Sequence, residues 1–203
     1  QLKVAPEHCS ANVLFYMGKP DFSVYQGFRR RFFEITKSMG KEQYLVPYLM
    51  SSHPGSTLAD ALELALCLKR DHYAPEQVQD FYPTPGTAST VMFYTGLDPF
   101  TMKPVFVATD YHEKQLQRAL LQFNRPQNAE LVREALRRLG REDLIGTAPN
   151  CLVKPESGRK PAAKASKAGT AHSNHAAPKK GKHPSNGASF HSERNKTKAK
   201  KKR

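Results

Sequence analysis

Residues 1–98 repeat one pattern three times: a short apolar run, a polar loop rich in Pro or Gly, and a stretch with helical periodicity. The apolar runs are LKVA, QYLVPYLM and EQVQDFY, and the loops after them are PEHCS, SSHPGS and PTPGTAS. Strands that alternate with helices in this way are typical of β/α units in a parallel sheet or barrel. The sequence therefore predicts an α/β fold with its chemistry in the loops that follow the strands.

Two of the predicted helices carry clear signals. The longer runs from about Phe22 to Met39, and Gly40 suits its end. Before the other, Thr57 and Asp60 have the spacing of a capping box, which satisfies free amides at a helix start. The apolar residues of the longer helix recur at spacings of four and three, on one face: Val24, Phe28, Phe32 and Ile35.

The second apolar run, Tyr44 to Met50, is nearly continuous, which favours a parallel strand that is buried on both faces. Pro47 interrupts that pattern and is tolerated in a strand only at an edge or a bulge. A further strand is possible over Lys103 to Ala108.

Residues 99–154 are predicted to form a small, mainly helical domain. Asp110 and Glu113 repeat the capping-box spacing before one apolar helix, and a second helix spans about Ala129 to Leu139, with Gly140 after it. This segment is the second of the predicted domains, after residues 1–98.

Residues 155–203 differ sharply in charge from the rest of the chain. They hold 14 Lys/Arg and two acids, a net charge of +12, whereas residues 1–154 hold 18 Lys/Arg and 16 acids, a net charge of +2. With Phe190 as the one aromatic residue, this tail is predicted to be disordered. It is either a solubilising appendage or a nonspecific RNA- or ribosome-binding segment.

Several classes of function find no support in the sequence. No apolar run approaches the length that crosses a bilayer, so we expect a cytoplasmic protein without membrane association. Cys9, Cys67 and Cys151 are dispersed and odd in number, which argues against a disulfide framework and against a zinc site. His8 and Cys9 are adjacent, but neighbouring residues of an extended segment point to opposite faces, which disfavours a catalytic pair.

The three loops are unusually specific for simple connections. SSHPG could hold a carboxylate or phosphate on backbone amides at a helix start, and YPTPGTAS could approach a flat ligand. A Ser/Pro/Gly loop such as SSHPG more often simply turns the chain, and YPTPGTAS could equally be a structural turn.

Taken together, LKVAPEHCSANVLFYMGKP, QYLVPYLMSSHPGSTLADALELALCLK and EQVQDFYPTPGTASTVMFYTG closely resemble the later strands of the radical SAM barrel. More narrowly they resemble the YgiQ family of radical SAM proteins, and LQRALLQFNRPQNAELVREALRRLGREDLIG resembles that family's small C-terminal domain. The likeness covers essentially residues 1–154. It implies the C-terminal half of a partial (β/α) barrel, in which the three runs would be the fourth, fifth and sixth strands.

The resemblance implies two cofactors, S-adenosylmethionine (SAM) and a [4Fe–4S] cluster that cleaves it to a 5′-deoxyadenosyl radical. By motif position, polar side chains of the first run would meet the ligand's ribose or carboxylate, and the loops after the second and third runs would contact adenine. The substrate and the catalytic residues stay unknown. The residues carried over as SAM-binding are Lys3, Glu7, Ser51, Ser52, His53, Gly55, Tyr82, Thr84 and Gly86.

The chain departs from the family in one decisive respect, because it contains no CxxxCxxC, the motif that holds the cluster. Those cysteines and the first three strands are expected upstream of Gln1, whether through a split gene or a truncation. We therefore expect the chain to be inactive alone, to lack metal ligands, and to need the missing half of the barrel as a partner. An unpaired edge at Leu2 to Ala5 and an exposed apolar sheet face should make it poorly soluble or oligomeric.

Overall fold

The computed structural model describes residues 1–156. The tail for which disorder was predicted lies almost wholly outside the described residues. Two short 3₁₀ helices, Pro126–Asn128 and Glu142–Leu144, accompany the main elements. In chain order these are β1 (Leu2–Glu7), α1 (Ala11–Tyr16), α2 (Phe22–Ser38), β2 (Leu45–Ser51), α3 (Leu58–Arg70), β3 (Gln79–Asp80), α4 (Ala88–Thr95), α5 (Tyr111–Leu121) and α6 (Ala129–Arg138).

The sheet has three parallel strands in the order β1-β2-β3. The prediction of an α/β fold with a parallel sheet is thus confirmed, and the described residues form no closed barrel. Because all three strands run the same way, their carboxyl ends and the loops after them lie along one edge of the sheet. β3 has only two residues, although the sequence pattern suggested a longer strand.

Pro47 lies in the central strand, opposite Val4 of β1. The pairing shifts register directly after this point, between Val4 and Glu7, where β1 uses one more residue than β2. A bulge of this kind accommodates a residue that cannot donate to the ladder. Of the two expectations for Pro47, the bulge is correct and the sheet edge is wrong.

The main core lies on one side of the sheet, where α3, α5 and α6 pack together and against β2. Its most deeply buried side chains are Leu64, Leu116, Leu120, Leu121 and Leu136, at 0–1% exposure. This core draws on residues from both of the segments that the sequence distinguished at residue 98. Burial of apolar side chains at about 25 cal/mol per Å² makes it the main source of stability.

The surface around α2 is mostly exposed. α2 buries none of its residues, and its Val24 and Phe28 are 58% and 43% exposed. In β2 only Leu49 and Ser51 are buried. The expectation that β2 is buried on both faces is therefore wrong for this chain, because five of its seven residues stay partly or largely exposed in the described part.

The segment Lys103 to Ala108 is not a strand. It makes a single antiparallel bridge, Leu97 to Pro104, after which Val105 donates its N–H to the Gly96 carbonyl at 2.8 Å. Phe106 then accepts the Gly55 N–H at 2.7 Å. The extended pattern in the sequence reflects a segment that follows the ends of other elements and joins no sheet.

The helix caps largely follow the sequence. Thr57 and Asp60 form the predicted capping box at the start of α3. Asp110 accepts the Glu113 N–H at 2.9 Å at the start of α5. None of the helices in residues 1–156 combines the length and apolar character that a bilayer crossing needs.

Candidate functional site at the strand ends

The loop SSHPGS after β2 is the centre of the candidate site, and all of residues 51–56 are buried. Gln117 of α5, itself fully buried, fastens this loop by accepting the Ser52 N–H at 3.2 Å and the Ser56 hydroxyl at 3.1 Å. Its amide also donates to the Ser56 carbonyl oxygen at 2.8 Å. A side chain from the helical segment therefore fixes the loop that the sequence singled out.

Gly55 holds the loop against α1. Its φ is +89°, and a Cβ built there would lie 2.2 Å from Cδ2 of Tyr16. Its carbonyl oxygen accepts the Asn12 amide at 2.8 Å. Glycine is required here both for the left-handed backbone and for the close approach of the ring.

His8, at the end of β1, is 1% exposed. Its Nδ1 accepts the Ser10 N–H at 3.0 Å, so the neutral ring carries its proton on Nε2. Burial lowers the pKa of His8 to about 4, partly opposed by Asp60 and reinforced by His53. The ring is thus neutral at pH 7, and its Nε2 has no hydrogen-bond partner in the described residues.

The hydroxyl of Ser52 is the second buried side-chain group at this edge without a partner in the described part. Ser52 has φ +60° and Glu7, at the end of the neighbouring strand, has φ +63°. Left-handed backbone at a non-glycine residue costs roughly 1–2 kcal/mol and concentrates at functional sites. Two adjacent strands therefore end in the same strained conformation, beside two unsatisfied polar atoms.

His53 also lies at this edge. Its Nδ1 donates to the Pro54 carbonyl oxygen at 2.7 Å, and its Nε2 lies 2.9 Å from the Ser89 hydroxyl of α4. Burial lowers the pKa of His53. The ring is therefore a neutral acceptor for Ser89, and it ties the loop after β2 to the start of α4.

The remaining predicted residues are less concentrated. Ser51 is buried and donates to Asp80 at the end of β3. Tyr82 is 79% exposed, and Thr84 and Gly86 are exposed beside it in the loop after β3. Lys3 lies in the first half of β1 with its ammonium 5.8 Å from the Tyr48 ring, away from the strand ends.

Sequence reasoning missed several contributors. Gln117 and Ser89 sit on helices far along the chain, and no local motif marks them. His8 and Cys9 have different surroundings, because the His8 ring accepts the Ser10 N–H whereas Cys9 packs against the hydrophobic core. No group of three or more candidate metal ligands occurs in residues 1–156.

Comparison with known proteins identifies the family. Residues 76–203 match a family described as a domain of unknown function, DUF3362. The chain belongs to the DUF3362 family. It is also 60% identical over 157 residues to a UPF0313 protein of Clostridium perfringens (strain ATCC 13124). The aligned residues make up 77% of this chain and 24% of that protein.

UPF0313 proteins of Clostridium botulinum are similarly related to the DUF3362 chain. One, from strain 657, is 57% identical over 153 residues, which is 75% of this chain and 24% of the relative. UPF0313 is the YgiQ-type family. The chain spans about a quarter of the length of the curated relatives it matches. No solved structure matches the chain.

Proposed function

We propose that this DUF3362 chain supplies the C-terminal part of a cytoplasmic radical SAM enzyme and that its strand-end edge binds part of S-adenosylmethionine. The observation that carries the proposal is the pair of buried, unpartnered polar atoms, His8 Nε2 and Ser52 Oγ, on neighbouring parallel strands. Buried polar atoms are nearly always satisfied, and unsatisfied ones ask for a missing partner. Ligands of open α/β sheets bind beyond the carboxyl ends of the strands.

The chemistry of these two groups fits a nucleoside. The neutral His8 ring offers an N–H donor, and the Ser52 hydroxyl both donates and accepts, which suits ribose hydroxyls and adenine nitrogens. Because His8 is neutral, it adds no positive charge that would repel the sulfonium of S-adenosylmethionine. When bound, the cofactor supplies a 5′-deoxyadenosyl group, and these residues would hold and orient it.

The described residues do not fit the [4Fe–4S] cluster. A cluster of this kind is held by cysteine thiolates, and residues 1–156 contain no group of three or more side chains that could hold a metal ion. The Cys151 thiol instead donates to the Asp143 carbonyl oxygen at 3.7 Å. The ligands must therefore come from other polypeptide. We expect the reconstituted 203-residue chain to retain no stoichiometric iron, and full occupancy would contradict this part of the proposal.

The exposed apolar surface around α2 supports the presence of further polypeptide that covers it, either in the same chain or as a separate subunit. A cavity of about 330 Å³ lies between β1 and α2, with Val4, Leu14, Phe22 and Phe28 among its lining residues. The curated relatives are about four times longer than the matched region. We propose that the remaining barrel strands cover this side in the complete enzyme.

The test of the cofactor role is SAM binding by the longer protein proposed here. Ser52→Ala and His8→Phe each remove one of the two polar groups, and we expect each to weaken the binding of S-adenosylhomocysteine, measured by calorimetry, by roughly tenfold. Thr101→Ala, on a surface loop with no place in the site, should leave the affinity unchanged. Unchanged affinity in both site variants, with the fold intact by circular dichroism, would refute the assignment.

A second candidate function rests on the charge segregation. The net charge of +12 over residues 155–203 favours nonspecific, salt-sensitive binding of RNA. Deleting the chain after Lys154 should then abolish binding of a single-stranded RNA at low salt. Equal RNA binding with and without the tail would refute it.

A further inference from the structure

Three tyrosines near the carboxyl end of β3 are largely exposed. Tyr82, Tyr94 and Tyr111 have 79%, 75% and 74% of their surface in solvent. Tyr82 and Tyr94 directly follow Phe81 and Phe93, whose rings lie 5.7 Å apart. Several large aromatic side chains exposed in one region indicate a surface that binds something.

Tyr111 stands at a cavity of about 230 Å³, which we call the α5 cavity. Tyr111, Lys114, Gln115 and Arg118 line it, at the spacings of three and four that place side chains on one face of α5. Asn128, just before α6, also lines it. Because a water molecule takes about 30 Å³ of liquid volume, the cavity has room for a planar ring of the size of a nucleobase.

The charges of the α5 cavity favour an anion. The Lys114 ammonium lies 5.2 Å from the centroid of the Phe93 ring and makes no ion pair within residues 1–156. Arg118 is engaged with the Asp80 carboxylate at 2.6 Å. Asp80 is the one carboxylate in the lining, so Lys114 leaves the cavity with an excess of positive charge that attracts phosphate.

The strongly basic segment of the chain follows directly from this region. Leu131 of α6 lines the α5 cavity, and Arg133 of α6 donates to the Lys154 carbonyl oxygen at 3.2 Å. The residues after Lys154 carry a net charge of +12. Their covalent attachment raises the effective concentration of any polyanion that they bind.

The groups of the α5 cavity are those that bind single-stranded nucleic acid. An exposed tyrosine ring offers a face on which a base stacks, and an ammonium group binds a phosphate. The amides of Gln115 and Asn128 can meet base edges or ribose hydroxyls. An acidic peptide would use the cations but has no planar base for the tyrosine, so the combination favours a nucleic acid.

We propose that the α5 cavity binds one nucleotide of a single-stranded RNA, with the base on Tyr111 and a phosphate on Lys114. The proposal rests in part on the RNA binding proposed above for residues 155–203, and it adds a contribution that depends on the bases. The basic segment attracts any polyanion, whereas the cavity distinguishes a strand that carries bases from one that does not. The SAM role has no part in this binding.

The experiment compares two probes on the 203-residue chain by fluorescence anisotropy. One is a short single-stranded RNA, and the other is an abasic strand of equal length and charge. Binding through the basic segment alone treats the two alike. We expect the RNA to bind roughly tenfold more tightly than the abasic strand, because one base stacks on the protein.

Equal affinity for the two probes would overturn the proposal for the α5 cavity and leave RNA binding by residues 155–203 standing. Absence of binding of either probe would overturn both. Because these results are read on the unsubstituted chain, a variant that fails to fold does not shield the proposal.

Substitutions of Tyr111 test the position of the base. Tyr111→Ala should abolish the preference for RNA over the abasic strand and leave the affinity for the abasic strand unchanged. Tyr111→Phe keeps the ring and should keep the preference. Tyr44→Ala is the matched control, because Tyr44 is 60% exposed but lies at the start of β2, at the opposite end of the strands. An unchanged preference in Tyr111→Ala, or an equal loss in Tyr44→Ala, would contradict the assignment.

Lys114→Gln tests the phosphate contact. It should weaken both probes alike by a few-fold and reduce the slope of log affinity against log salt by about 0.7, the value for one phosphate of a single strand. Lys37→Gln, on α2, is the control and should leave the slope unchanged. An unchanged slope in Lys114→Gln would remove Lys114 from the site.

Two further ligands test the choice of RNA. Polyglutamate should compete with the RNA far less well than unlabelled RNA does, and equal competition would point to an acidic protein and overturn the proposal. A single-stranded DNA of the same sequence lacks the ribose 2′-hydroxyl and should bind more weakly. Tighter binding of the DNA would overturn the assignment to RNA.

Discussion

Two groups of helices show what an amphipathic pattern does and does not specify. In the first, α5 and α6 place Leu116, Leu120 and Leu136 in the core with no exposed surface. By contrast, α2 has an equally regular apolar face but buries none of its residues. Periodicity thus predicts which face of a helix is apolar, and only the rest of the fold decides what covers it.

The largest expected effect tests this difference directly. Leu120→Ala removes a fully buried side chain and should lower the free energy of unfolding by roughly 3 kcal/mol. Phe28→Ala, at 43% exposure on α2, should cost less than about 1 kcal/mol in the same chain. Urea unfolding measures both values, and equal losses would show that α2 is packed in solution.

The next effect concerns pH. The pKa of His8 is lowered from 6.5 to about 4, so between these values the unfolded chain binds more protons than the folded one. Stability therefore falls as the pH falls through this window, in total by about 3 kcal/mol from this residue. His8→Asn keeps an acceptor for the Ser10 N–H and cannot titrate, so its unfolding free energy should fall less steeply between pH 6.5 and 4.

A histidine whose pKa shifts in the opposite direction provides the control. The pKa of His112 is raised, chiefly by its hydrogen bond to Glu134. Its contribution is present below pH 6.5 and is lost as the pH rises through the folded-state pKa. His112→Asn should therefore leave the slope between pH 6.5 and 4 nearly unchanged and should remove a loss of stability above pH 6.5. Identical slopes between pH 6.5 and 4 for His8→Asn and the unsubstituted chain would contradict the buried, neutral ring.

A smaller effect sharpens the comparison within the strand-end loops. Gly55→Ala meets both a left-handed φ and the Tyr16 ring, and should cost roughly 2–3 kcal/mol. Gly86→Ala has a similar φ of +80° but open space around its Cβ, and should cost about 1 kcal/mol. Thermal unfolding of the two variants compares them, and equal losses would place the Tyr16 ring elsewhere.

Much of the local structure was predictable because local chemistry determines it. The parallel strand directions, the start of α2 at Phe22 and the Thr57–Asp60 capping box follow from nearby residues. The contact of Ser10 with Asp60 was not predictable from the sequence alone, because the packing of the 8–10 loop on α3 creates it.

The candidate site also combines features that the sequence predicts with features that depend on tertiary contacts. The SSHPGS loop was correctly placed after a strand, but its burial depends on Gln117, which no motif connects to it. Lys103 to Ala108 had a strand-like composition, yet the sheet offered it no partner. In both cases a tertiary contact decided what residue preference left open.

The central claim is our proposal that the exposed surface around α2 faces additional polypeptide in the longer protein. Hydrogen–deuterium exchange tests it most directly in the full-length Clostridium perfringens relative, compared with the segment of that protein equivalent to this chain. We expect amides of the α2 and β1 equivalents to exchange at least tenfold more slowly in the full-length protein, and those of the α5 equivalent to change little. Equal exchange of the α2 equivalent in both proteins would contradict the claim.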